Sequence, residues 1–188
     1  GVPGTLAALD TALKRYGTIK LRDAIEPAIA VAEQGFALNR FLAANILADG
    51  GRTSFQPETA ATFRPGGVAL KAGDLLVQPD LAKTFRLIAR HGPDVFYRGE
   101  IAQAIIAAQA RSRAPVLAEG AGRMTLQDLA QYNVVIREPV QVNYRGWTVS
   151  SMSPPSSGGL TLGQMLLMLK QFPLGDAAQG YGFGSPTT

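Results

Sequence analysis

Ser156 and Ser157, followed directly by Gly158 and Gly159, form the run in this chain best suited to hold a ligand. Two hydroxyls and a set of backbone N–H groups without intrahelical partners favour an anion at a helix start. These four residues are therefore the candidate substrate-binding element. A structural role accounts for the same run without a ligand: a serine N-cap, then glycines that let a buried helix approach its neighbour closely. The only histidine, His91, falls in the last turn of a helical pattern, where the carbonyl end of the helix favours an imidazole. Asp10, Asp23, Glu26, Asp80 and Asp94 lie mostly on polar helix faces or in first turns, where solvation or the helix dipole accounts for them. None is assigned acid or base work, and no catalytic residue is assigned. The glycine-rich tail lacks the Gly-Lys-Ser/Thr ending of a phosphate loop. With no cysteine, disulfides and thiolate metal sites are excluded; no metal or cofactor is expected.

Composition narrows the remaining classes. The 188 residues are 46% apolar and 17% charged, as in a globular domain. Apolar stretches break well short of the roughly 20 residues that a membrane span requires, so no span is predicted. The net charge of +4 raises nucleic acid as a partner, but the basic residues are scattered. Lys14, Arg15, Lys20 and Arg22 are the one concentration, Arg111 and Arg113 a pair, and neither alternates with aromatic residues to give a stacking surface. Nucleic-acid binding is not predicted. Gly1-Val2-Pro3-Gly4 leads straight into a helical pattern, so no secretory signal is visible.

The elements that would position these groups follow from periodicity. Leu6, Leu9, Leu13 and Tyr16 predict a helix over 5–16, stopped at Gly17. Leu21, Ala24, Ile25, Ala28, Ile29 and Ala32 predict a second helix that ends at Gly35, with Pro27 either kinking it or standing just inside its start. A third is predicted over 39–48. The stretch 51–76, rich in Gly, Pro and Thr, reads as loop with short turns. Pro79-Asp80 opens a helix that Gly92-Pro93 closes, and Ile101, Ile105 and Ala108 mark another. Periodicity fails over 112–123. Thr125 to Asp128 resembles a capping box, which predicts a short helix over 126–131. Between 133 and 151 the period changes to two, so 139–151 is expected to be an antiparallel hairpin turning at Arg145-Gly146, with Gly146 available for positive φ. Leu160 to Phe172 is apolar nearly all round and should be buried on more than one side. The tail 175–188 is expected to be flexible. The chain is thus α+β, mostly α-helical with one antiparallel β-hairpin, and is taken as one partial domain over 1–188.

The segments also occur in a familiar order. Gly1-Val2-Pro3-Gly4-Thr5, Tyr16-Gly17-Thr18, Pro27-Ala28-Ile29 and Gln78-Pro79-Asp80 come first. Gly92-Pro93-Asp94 with Phe96-Tyr97, the Thr125 to Tyr132 stretch, Tyr144-Arg145-Gly146 and Pro154-Pro155-Ser156-Ser157-Gly158-Gly159 follow. In sequence and in order this resembles the γ-glutamyltransferase family over nearly the whole chain. The resemblance implies an N-terminal-nucleophile hydrolase on a four-layer αββα sandwich, made as one precursor that cleaves itself into a large and a small subunit. It implies a nucleophilic N-terminal threonine whose own amine acts as base, attacking the γ-glutamyl amide of glutathione or a related compound and passing the acyl group to an amino acid, a peptide or water.

By the same resemblance, the family's carboxylate-binding arginine lies upstream of the Gly-x-Pro-Gly-Thr motif. Its threonine, followed by threonine and histidine, lies well downstream of Pro-Pro-Ser-Ser-Gly-Gly. Thr187-Thr188 stands too close to that motif to be the cleavage site, and no histidine follows it. The serine pair here is also distinct from the family's substrate-binding serines in the small subunit. The expectation is an internal large-subunit segment, structural in role and inactive alone. Its partners would be the rest of the large subunit and the small subunit, with a γ-glutamyl small molecule as the parent's substrate. A periplasmic or extracellular location is implied by the family. The rival expectation is a stand-alone, non-catalytic helical binding module.

Overall fold

A computed structural model describes residues 1–49, 56–111 and 122–186. The chain divides into two compact units, Gly1–Val134 and Val135–Thr188, where the sequence reading had a single partial domain. The Thr187-Thr188 pair, the start of the loop read over 51–76 and most of the aperiodic stretch over 112–123 lie outside the described residues.

The first unit is helical. Helix α1 spans Thr5–Tyr16 and α2 spans Leu21–Gln34; α2 runs unbroken through Pro27, which settles the two readings of that proline in favour of an interior position. Gly35 ends α2 with φ 77°, a conformation that glycine adopts without a Cβ penalty. Helix α3, Arg40–Ala48, is capped by Asn39, whose side chain accepts from Leu42 N at 2.8 Å. The stretch read as loop departs from expectation. Pro57–Phe63 forms helix α4, with Pro57 at the helix start, where its missing N–H costs nothing, and with two alanines that favour the helix. Leu75–Leu76 is a strand, β2, antiparallel to β1 at Phe36–Ala37, with Phe36 opposite Leu76 and Ala37 opposite Leu75. Among the described residues there are therefore two short antiparallel sheets rather than the single hairpin. Two-residue strands carry no readable alternation, which is why periodicity passed over them.

Helix α5, Pro79–His91, packs along α2 through Ile29, Ala32 and Ala82, the last fully buried. One turn, Asp94–Tyr97, makes α6; Glu100–Arg111 makes α7. Helix α8, Leu126–Ala130, begins with the anticipated capping box. Asp128 N donates to Thr125 Oγ1 at 3.2 Å, and Thr125 N and Oγ1 donate to Asp128 Oδ2 at 2.8 and 2.7 Å. Those bonds, the Thr125 hydroxyl first, hold the Asp128 carboxyl below its ordinary range. A depressed carboxylate contributes stability in full above the ordinary carboxylate range and loses it as pH falls through its lowered value. Asp128→Asn is therefore expected to lower the melting temperature at neutral pH, with the gap to the parent closing in strong acid. Parallel melting curves from pH 7 down to pH 2 would check this; a gap independent of pH would show that the Asp128 charge is not what the box contributes.

Tyr97 joins these pieces. The residue is 5% exposed, and its ring stacks on Tyr132 at 5.8 Å and meets Phe96 edge-on at 4.9 Å. Its hydroxyl donates to Pro3 O at 2.8 Å and accepts from Ala7 N at 3.2 Å. Gly4 offers no side chain to cap α1, so this phenol satisfies one of the free first-turn donors from ninety residues away. Burial, chiefly, pushes the Tyr97 phenol up from its ordinary value.

The second unit holds strands β3, Val140–Tyr144, and β4, Trp147–Ser151, paired antiparallel from Val140 opposite Ser151 to Tyr144 opposite Trp147. Both turn residues have positive φ, Arg145 at 48° and Gly146 at 83°, as a type I′ turn requires. Arg145 accepts that conformation while its guanidinium lies 5.4 Å from the Tyr144 ring centroid and donates to Leu174 O. Gly146→Val puts a β-branched side chain at positive φ and is expected to cost about 1–3 kcal/mol. Urea titration followed through Trp147 fluorescence would read it; an unchanged midpoint would mean that the turn tolerates another geometry.

Helix α9, Gly158–Leu169, lies on the hairpin. Its apolar run was expected to be buried on more than one side, and within this unit it is not. Gly159 and Gly163 are its buried residues, while Leu160, Met165, Leu167 and Met168 are each about half exposed. The physical reason is lack of material: a two-stranded ribbon covers one face of a helix and no second layer is at hand. The tail expected to be flexible includes a 3-10 turn, Ala177–Gln179, with Asp176 accepting from Ala178 N at 3.0 Å.

Candidate functional site

Strand β4 ends at Ser151, and Met152 and Ser153 lead into a cis Pro154-Pro155 bond and then Ser156. This path brings Ser150, Ser151, Ser153 and Ser156 to the wall of one open cleft of about 680 Å³, with Arg137 as its one charged residue. Ser150 Oγ already accepts from Gln141 Nε2 at 3.1 Å, and Ser156 Oγ from Gly158 N at 3.3 Å. Among the described residues no imidazole or carboxylate lines the cleft, so none of them could take a proton from a serine there and make it a nucleophile.

The four residues singled out in the sequence separate into two roles. The serine N-cap reading falls on Ser157, which precedes the helix, but its backbone is already helical, at φ −76° and ψ −20°, and its side chain makes no capping bond. A cap needs an extended backbone to aim its oxygen at the N–H two or three residues on; Ser156 instead closes a local turn onto Gly158. The glycines pack. A Cβ on Gly159 would collide with the Met152 carbonyl, and one on Gly163 would sit 3.0 Å from Val142 Cγ1. Gly159 and Gly163, four residues apart, thus form the seam by which α9 meets the hairpin.

This division is testable in one comparison. Gly159→Ala is expected to destabilise the second unit by about 1–3 kcal/mol, because backbone must move to admit the methyl. Ser157→Ala is expected to leave stability within about 0.5 kcal/mol, as a surface change away from any cap. Denaturant midpoints of the two variants would check the order, and the reverse order would restore Ser157 as the structural residue.

The other chemistry-bearing residues lie apart from this cleft in sequence and belong to the first unit. His91 is exposed in the last turn of α5. Asp10 pairs with Lys14 at 2.7 Å, Asp80 with Lys83 at 2.8 Å and Asp94 with Arg98 at 2.7 Å, all within one helical turn, and Asp23 pairs with Arg22 at 3.2 Å. Glu26 lies beside Arg22 and Arg90 on a surface cleft. Among the described residues no group of three or more His, Asp and Glu side chains is placed to hold a metal, and no helix is long and apolar enough to cross a membrane. Two residues were not foreseen. Nothing in the spacing marks Arg137, whereas Tyr97 had a signal in its place beside Phe96, just inside the short turn that Pro93-Asp94 opens.

The chain matches the family model for Gamma-glutamyltranspeptidase over residues 1–185. It is 41% identical over 186 residues to the glutathione hydrolase proenzyme of Escherichia coli (strain K12), covering 98% of this chain and 30% of that protein. It is 37% identical over 184 residues to the Acylase ACY 1 proenzyme of Pseudomonas sp. (strain SE83), covering 98% of this chain and 31% of that protein. Its structure resembles the crystal structure of Helicobacter pylori gamma-glutamyltranspeptidase with a TM-score of 0.86 at 39% identity, covering 98% of this chain and 50% of that one. The chain thus spans about a third of the curated relatives and half of the solved chain. With the motifs in order, a backbone similar to a solved gamma-glutamyltranspeptidase over 98% of the chain and the family model met almost end to end, this chain belongs to the gamma-glutamyltranspeptidase family.

Proposed function

We propose that this chain is a scaffold segment of a γ-glutamyltransferase precursor. The complete protein moves the γ-glutamyl group of glutathione or a related amide to an amino acid, a peptide or water. The observation that carries this reading is 41% identity to a glutathione hydrolase proenzyme along 98% of the chain. Two of the relatives above are named as proenzymes, which supports self-cleavage into large and small subunits. The partners of this segment are then the rest of the large subunit and the small subunit. In that assembly the helices flank the central sheets of an αββα sandwich and the β3–β4 hairpin contributes to them. The nucleophilic threonine and the carboxylate-binding arginine come from outside residues 1–188. Within Ser156 to Gly159, Gly159 serves the packing of α9, and the run is structural rather than a substrate site. The location is periplasmic or extracellular. A stand-alone binding module is the weaker reading, since the likeness to enzyme precursors runs through both units.

Likeness to an acylase leaves the acyl group as the point to test. The complete precursor is expected to split into two polypeptides, the smaller with an N-terminal threonine, and then to cleave γ-glutamyl amides in preference to amides without the glutamyl amine and carboxylate. Intact mass and N-terminal sequencing, followed by paired substrates, check both steps. A precursor that stays whole, or that prefers the non-glutamyl amide, would contradict the reading.

A further inference from the structure

We draw no further inference here: the strongest candidate, the apolar face that Leu160, Leu167 and Met168 of α9 present beside Val140 and Val142 of β3, is an unpartnered surface, and nothing in the structure shows what covers it.

Discussion

Leu129→Ala is expected to destabilise the first unit by about 2–5 kcal/mol, the range for emptying a fully packed leucine site. Leu129 is fully buried, and its cluster draws on α1, α6, α7 and α8 through Leu6, Tyr97, Ala102 and Ile105. Helix α8 has five residues, too few to persist on local hydrogen bonds. Its place therefore depends on this one apolar anchor and on the Thr125–Asp128 cap. The same cluster fixes the start of α1, because Tyr97 packs in it while bonding Pro3 and Ala7. Loss of Leu129 should thus loosen both α8 and the Gly1–Thr5 segment, and amide exchange should rise in each. Urea unfolding gives the magnitude and exchange gives the location. A cost below about 1 kcal/mol would mean that the site collapses around the smaller side chain, and unchanged exchange at α1 would separate the two ends of the cluster.

Much of this architecture could be read from the residues alone because amphipathic helices advertise themselves. In α5, Leu81, Ala82, Phe85, Ile88 and Ala89 recur at helical spacing between a starting proline and a closing glycine, and the helix occupies that span. The capping box at Thr125 and the alternation of Val140, Val142 and Tyr144 were equally direct. Short elements escaped for want of a full period. The β1–β2 pair is two residues long on each side and depends on register with a strand almost forty residues away. Helix α4 was hidden by its neighbours, since Gly, Pro and Thr flank a run that is itself compatible with helix.

The candidate site was legible as residue types and not as roles. Ser157 carries the type of an N-cap without the extended backbone that capping needs, and residue type does not encode that backbone. The glycines after the serines announce close packing, which Gly159 provides against Met152, whereas the seam continues at Gly163 against Val142, a position the sequence reading did not single out. The all-round apolarity of α9 described a helix with two neighbours, while the second unit supplies one. That mismatch fits a chain spanning 30% of a relative's length.

If residues 1–188 are scaffold, as proposed above, the chemistry requires the rest of the precursor. The largest expected effect follows from it. Acyl transfer needs a nucleophile with a base in reach and donors aimed at the developing oxyanion, and removing such parts typically costs 10²–10⁴-fold or more each. Among the described residues that line the cleft beside Ser156 none can serve as base, and His91 sits exposed at a helix end. The decisive measurement is product release from a chromogenic γ-glutamyl amide by three mass-verified proteins: residues 1–188 alone, the complete precursor after maturation, and the precursor with its predicted N-terminal threonine replaced by alanine. The account predicts turnover by the matured precursor and none above background from the other two. Turnover by residues 1–188 above the alanine variant would contradict it, and Ser156, Ser157 and His91 would then be the first residues to mutate.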